Sequence, residues 1–398
     1  MSLLDALPTP KLRRGGYPNA VLVSMSIVML AVLWGLDAVS VAPNRIVQGT
    51  GVGVLGAIGL PGAFLASLLI LAIGGLACQP GRTNYAAALG AVVLLLALMP
   101  FGLMVASYFL IDPALPQARL GIGASYWLIL FILLLCLIEL RLRLALTRLL
   151  PGLLLAGVGL LWWLCASLWL DDLALVQEFK ARDRQFMRAV GQHIVLVGVA
   201  VGVSIVLGGL LAMLMRRFKR LQKSAFAMLN FLQTIPSLAL FGLLLAPLAW
   251  LAANVPVLAQ VGVSGIGNTP ALIALVAYSL LPMVRNTYIA LEQVSPDTLE
   301  AATAMGMRRG QQFWQVRLPL ALPVLLEGVR ITTVQAIGLT AVAALIGAGG
   351  LGTFIFQGLG QAAMDMVLLG ALPILVLALL VDAALGALAE ALRPGGIQ

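Results

Sequence analysis

Glu292-Gln293-Val294-Ser295-Pro296-Asp297-Thr298-Leu299-Glu300-Ala301-Ala302-Thr303-Ala304-Met305-Gly306 runs on through Arg308, Arg309, Phe313 and Trp314 to Val316-Arg317-Leu318-Pro319, a charged segment between two long apolar runs. In a chain that is 62% hydrophobic and 10% charged, a polar insertion of this length reads as a surface facing water, and it asks for a soluble partner. The runs on either side decide the fold. A mean hydropathy of +1.07 over 398 residues leaves too little polar surface for a soluble domain, so the chain is an integral membrane protein.

Ten apolar stretches are long enough to cross a hydrocarbon core of about 30 Å, which takes about 20 helical residues. They lie near residues 20–41, 60–78, 86–110, 122–138, 149–170, 190–215, 225–247, 270–291, 326–347 and 366–389. The runs are solidly apolar rather than alternating, which selects helices over barrel strands. The expected fold is all-α, a polytopic bundle of about ten transmembrane helices. Lys11, Arg13 and Arg14 before the first run resemble a signal peptide, but no small-x-small cleavage site follows, so a retained span is expected.

A net charge of +9 would suggest nucleic acid on a soluble face. Here the basic residues fall in short segments between apolar runs, which is a pattern of membrane orientation. With a cytoplasmic N-terminus, alternation places Arg82, the Arg141-Arg143-Arg148 cluster, the Arg216-Arg217-Lys219-Arg220-Lys223 cluster, Arg308, Arg309, Arg317 and Arg393 inside. Arg45, Arg119 and the mixed-charge segment 171–188 remain outside. The loop quoted above is then cytoplasmic, as are both termini.

The chain divides in two. Residues 1–180 hold about five spans joined by Gly/Pro-rich connections, with no polar constellation inside the membrane and no role that can be read. Residues 181–392 carry polar residues within spans and the large loop at 292–325. Segment 171–189 has the charge for a surface amphipathic helix.

Within the loop, Asp297 is expected as N-cap with Glu300 as its capping-box partner, and Gly306 ends that helix through a positive φ. A second helix over about 309–317 presents Phe313 and Trp314 and is limited by Pro319 and Pro323. Spacing alone leaves open an amphipathic loop lying on the headgroups.

Glu300-Ala301-Ala302, then Gly306, then Val316-x-Leu318-Pro319 resembles the signature loop of ABC-importer permease subunits, with Val316 where Ile is usual. The similarity continues through Gln233-Thr234-Ile235-Pro236-Ser237, Leu281-Pro282-Met283-Val284-Arg285-Asn286 and Ile346-Gly347-Ala348-Gly349-Gly350-Leu351-Gly352. Over about residues 190–390 the chain is similar to permeases of osmoprotectant importers, the glycine betaine/choline/carnitine group. Its N-terminal half, with Ala42-Pro43-Asn44-Arg45, looks like the longer subgroup.

The resemblance implies a type I importer permease core. Its partners would be a second permease copy, ABC ATPase subunits that hold ATP and magnesium, and a solute-binding protein. Glu300, Ala301, Ala302, Gly306, Leu318 and Pro319 become ATPase-coupling residues, and this chain binds no cofactor itself. An aromatic cage for a quaternary ammonium compound would sit on the binding protein. Another small polar solute, such as an amino acid, stays open.

The chain's other motifs agree with a non-enzymatic subunit. No G-x-x-x-x-G-K-[ST] occurs, and no paired carboxylates, H-E-x-x-H or Ser/His arrangement. Gly347, Gly349 and Gly352 match G-x-G-x-x-G, but they follow a transmembrane helix rather than a strand and read as non-helical backbone. Cys78, Cys136 and Cys165 are expected to be buried thiols without disulfide or metal roles. His193 is expected to be structural.

Asn230, Gln233, Thr234 and Ser237 stand at i, i+3, i+4 and i+7 on the seventh stretch, where Pro236 would free a carbonyl, and Thr332, Thr333, Gln335 and Thr340 mark the ninth. Both sets read either as a lining for the translocation path or as interhelical glue. Arg285 is expected to snorkel and Glu327 to pair with Arg330. An ion-coupled carrier would need acidic residues near mid-membrane, and the chain offers only Asp37 and Asp382.

Overall fold

The computed structural model describes residues 17–392 apart from 46 and 148, so Lys11, Arg13, Arg14, Arg148 and Arg393 of the charge argument lie outside the described residues. The chain forms two compact units, Met1–Ala181 and Arg182–Gln398. The first contains helix α1 (Ala20–Gly35), strands β1 (Val39–Ala42) and β2 (Thr50–Val52), helices α2 (Val54–Cys78) and α3 (Arg82–Leu110), strand β3 (Arg119–Ile122), and helices α4 (Ala124–Leu144), α5 (Leu149–Leu168) and α6 (Ala174–Ala181). The second contains α7 (Asp183–Arg217), α8 (Lys219–Thr234), α9 (Ser237–Asn254), α10 (Pro256–Gln260), α11 (Asn268–Glu292), α12 (Pro296–Ala304), α13 (Arg309–Gln311), α14 (Leu318–Ala343), α15 (Gly352–Gly360) and α16 (Met364–Ala391).

Among the described residues, eight helices are long and apolar enough to cross a bilayer. These are α2, α3, α5, α7, α9, α11, α14 with its leading turns, and α16. The fourth expected stretch is the 21-residue α4, and the first is α1, apolar but only 16 residues long.

In the first unit α1 to α4 pack around Ile70, Tyr85, Leu96, Leu133 and Leu140, while Val39, Leu103, Leu120 and Cys165 form a second cluster beneath the strands. Three short strands interrupt the helices of this unit within an otherwise all-helical fold. They form a small antiparallel sheet in the order β2-β1-β3, with Val39 opposite both Val52 and Ile122. The first stretch therefore stops at Gly35 instead of 41, because Val39–Ala42 pairs with strands on both sides and buries Val39 in the cluster beneath them. Asp37 is accordingly outside the span, where its carboxylate lies beside Gly51 of β2.

Two partly buried ionic clusters stand in this unit. Glu178 of α6 is paired by Arg45 at 2.8 Å and Arg119 at 3.1 Å. Glu139 accepts from Arg143 Nε at 2.7 Å and from Asn19 Nδ2 at 2.9 Å, and Asn19 in turn caps α1. Cys136 and Cys165 are buried free thiols as expected, whereas Cys78, the last residue of α2, is exposed.

In the second unit α7, α11 and α14 pack on one another, with α16 on α14 and α15 on α16. Lipid tails are as apolar as leucine, so this contact depends on close packing, and small residues supply it. A Cβ at Gly328 of α14 would come within 2.6 Å of Asn286 Cβ on α11. Glu327 and Arg330 pair at 3.2 Å, but the stronger partner, missed from the sequence, is Asp382 of α16. It takes Arg330 Nε at 2.6 Å and Nη2 at 2.7 Å.

Candidate functional site

The loop between α11 and α14 is framed at both ends. Arg216, closing α7, pairs with Glu292, closing α11, at 3.1 Å. Beneath the loop, Ala290, Leu291, Val294 and Ala321 are buried, with Leu299 and Phe313 packed on them.

The first loop helix starts earlier than the capping-box reading required. Ser295 is the N-cap at φ −52° and ψ 134°, Pro296 is the first helical residue, and Asp297 lies in the first turn. Proline favours that position because its missing N–H would have no partner there, and an acidic first turn complements the helix dipole. Glu300 therefore makes no capping box and is exposed to solvent.

The helix ends as Gly306 predicts. Gly306 has φ +79°, its N–H donates to Thr303 O at 2.9 Å, and the Met307 N–H donates to Ala302 O at 3.1 Å. This reciprocal pair is a Schellman termination, and it fixes the angle at which the chain leaves. Gln312 closes the turn from the other side, donating to Thr303 Oγ1 and to Met307 O, both at 3.0 Å.

The second loop helix is not separate. Three α-helical residues lead into a π-helical stretch, Gln312–Arg317, and then directly into α14. Pro319 and Pro323 were expected to stop it. Pro319 sits in the first turn of α14, where an N–H is dispensable, and the wider π turn precedes it. A push on Phe313 or Trp314 is thus continuous with a membrane helix.

The surface this frame presents is mixed. Ala302 is only 1% exposed, whereas Met305 is 73% and Trp314 67% exposed, with Glu300, Ala301 and Gly306 exposed beside them. Trp314 stands edge-on to Phe313, the ring centroids 5.4 Å apart. Leu318 is half-buried and Pro319 exposed.

The polar residues of the seventh stretch do not share one helical face. α8 ends at Thr234, Ile235 and Pro236 are extended, and α9 begins at Ser237, so Ser237 is on a different helix from Asn230, Gln233 and Thr234. The ring of Pro236 disfavours the helical region for Ile235, which takes φ −72° and ψ 125° and breaks the helix there. Asn230 and Thr234 are exposed, and Thr234 Oγ1 returns to Phe231 O.

Gln233 does something the sequence reading did not anticipate. Pro282 in α11 has no N–H to give the carbonyl four residues back, that of Tyr278, and Gln233 Nε2 donates to that oxygen at 2.8 Å. The Tyr278 hydroxyl donates in return to Ile235 O at the break. Two proline motifs far apart in sequence are thus stitched together, and the offset of four between Tyr278 and Pro282 is the signal that could have located the partner.

On the ninth stretch, Thr332 and Thr340 are fully buried, with hydroxyls turned back to Gly328 O and Ala336 O. Thr333 bonds Val329 O, and Gln335 is exposed. Arg285 is exposed about two turns from the end of α11. The glycine segment 347–350 is non-helical, with φ near +76° to +79° at Gly347, Gly349 and Gly350. Gln192 Nε2 holds Ala348 O at 2.7 Å, and His193, wholly buried, places Nε2 3.1 Å from Ile337 O. Among the described residues no cluster of His, Cys, Asp or Glu could hold a metal.

With this geometry in place, similarity to known proteins divides along the same two units. Residues 204–394 match the family described as "Binding-protein-dependent transport system inner membrane component", and residues 17–176 match "ABC transporter permease YehY, N-terminal domain". The chain is 41% identical over 207 residues to the osmoprotectant import permease protein OsmW of Salmonella typhimurium, covering 52% of this chain and 91% of that one. It is 33% identical over 224 residues to the choline transport system permease protein OpuBB of Bacillus subtilis, covering 56% and 96%. Among solved structures, the inward-facing MetNI methionine ABC transporter aligns at 24% identity and a TM-score of 0.45, over 54% of this chain and 99% of that one. The chain belongs to the family of multi-span inner membrane permease subunits of binding-protein-dependent ABC importers.

Proposed function

We propose that this chain forms the translocation path for a small osmoprotectant, glycine betaine or a related quaternary ammonium compound, and that loop 292–325 couples it to ATPase subunits. The observation that carries the coupling is the rigid mounting of an exposed patch. Glu300, Ala301, Met305 and Trp314 face outward from a turn locked by Gly306, on backbone continuous with α14. Leu318 and Pro319 form the joint between patch and membrane helix, and the buried Ala302 seats the patch on the unit. The solute class is supported by relatives named as osmoprotectant or choline permeases, whose matched regions span nearly all of their length.

In this reading two ATPase subunits bind ATP and magnesium, a solute-binding protein delivers cargo, and a second permease copy completes the path. The loop and both termini are cytoplasmic. Asn230, Thr234 and Gln335, polar and exposed on single helices, are the lining candidates that a second copy or a solute can still reach. An ion-coupled carrier is disfavoured because Asp382 is committed to Arg330 and Asp37 lies outside the spans.

The test is uptake by vesicles reconstituted with the permease, its ATPase and its binding protein. Glu300→Lys and Gly306→Pro should abolish ATP-dependent uptake and uncouple hydrolysis while leaving insertion intact. Undiminished uptake by both variants would sink the coupling assignment. Binding measurements on the partner protein with betaine, choline and carnitine decide the solute.

A further inference from the structure

The first unit forms a half-open cavity of about 360 Å³ between α2, α3, α4 and the end of α1, a volume within the range of small-ligand sites. Its wall is almost wholly apolar, with Ile58, Ala66, Ile70, Met99 and Leu133 along its length. Among the described residues, the only polar side chains lining it are Ser125 and Tyr126, at the sheet end. Both hydroxyl oxygens are buried and make no hydrogen bond among the described residues, and Ser125 is 1% exposed. A buried hydroxyl without a partner costs about 1–3 kcal/mol, so this pair marks a place where a ligand's acceptor belongs.

We infer that this cavity holds one acyl chain of a membrane phospholipid, with its ester carbonyl accepting from Ser125 and Tyr126. The chemistry points away from the transported solute, since no charged group lines the cavity and one phenol is no cage for a cation. The depth fits a lipid tail. From Ser125 to Leu133 the α4 wall descends about 12 Å at 1.5 Å per residue, most of the roughly 15 Å that one leaflet's hydrocarbon occupies. The polar end is also at the correct level, because the strands that close the unit mark where the spans end, and ester groups lie at that boundary.

The experiment uses the full chain in vesicles of phosphatidylethanolamine and phosphatidylglycerol doped with a phospholipid carrying a photoreactive diazirine on one acyl chain. Labelled peptides are then mapped by mass spectrometry. Label should concentrate on the cavity walls in α2, α3 and α4, fall about tenfold in Ala66→Phe, which fills the space, and fall severalfold in Ser125→Ala/Tyr126→Phe. Leu68→Phe, on the outward side of α2, should leave it unchanged and controls for folding. Wall peptides left unlabelled in the wild type, as a cavity holding only water would leave them, would overturn the proposal. So would label indifferent to Ala66→Phe, or labelling by a diazirine free fatty acid in preference to the phospholipid.

Discussion

Gly306 carries the sharpest residue-scale consequence. No atom crowds the position, so a side chain there meets open space, and the whole cost of replacing it comes from the backbone at φ +79°. For an L-residue that conformation costs about 1–2 kcal/mol, and asparagine bears it better than a β-branched residue does. Gly306→Asn should therefore keep most of the coupled uptake, Gly306→Ala should lose part, and Gly306→Val should lose nearly all, in that order of solute moved per ATP hydrolysed. Equal coupling in all three would show that the turn's angle does not matter. Glycine's role was legible in the sequence because a positive φ has few tenants. The N-cap was not, because Ser295 and Asp297 are both good caps and only the neighbouring Pro296, which prefers the first helical position, separates them.

At the scale of elements, the break between α8 and α9 and the proline of α11 form one device. Gln233 supplies the donor that Pro282 withholds from Tyr278 O, so the two positions should not act independently. Gln233→Leu should destabilise the protein by about 1 kcal/mol, the scale of an interhelical hydrogen bond in membranes and of a carbonyl left without its donor. In a Pro282→Ala background the helix regains its own N–H, and the same substitution should cost less than half as much. A double-mutant cycle by denaturation in mixed micelles measures this, and additivity within about 0.3–0.5 kcal/mol would refute the link.

Apolar run length made the membrane helices legible, eight of them long and apolar enough to span among the described residues, since a solid run can be satisfied in lipid only as a helix. Two kinds of feature escaped. The sheet strands are three or four residues long, too short for periodicity to show, and Arg330's stronger partner lies 52 residues away, beyond any local spacing rule. Of the candidate lining residues, spacing located polar positions but not their directions. The hydroxyls of Thr332 and Thr340 are spent on their own helix, while Gln335 is exposed.

For the whole molecule, the exterior tells as much as the core. Leu60, Leu153, Leu243, Trp250 and Leu380 are each 62% exposed or more, a surface that would aggregate in water and that a bilayer covers without cost. Each unit has its own buried clusters, and the two family matches fall one on each. OsmW and OpuBB are matched over 91% and 96% of their lengths by only 52% and 56% of this chain, and the family match at residues 204–394 lies within the second unit. The loop frame, the Gln233–Tyr278 stitch, the Arg330–Asp382 pair and the pinned glycine segment all fall within residues 182–398. A chain reduced to residues 182–398 behind an initiating methionine should therefore insert, resist proteolysis and support ATP-dependent uptake with the same ATPase and binding protein. It should also lose acyl-chain labelling, since the cavity goes with the first unit. The readouts are uptake in reconstituted vesicles and protease protection of the inserted chain. A truncated chain that inserts stably yet transports nothing would assign the first unit a direct part in translocation, and one that fails to insert would show that the second unit is not self-sufficient.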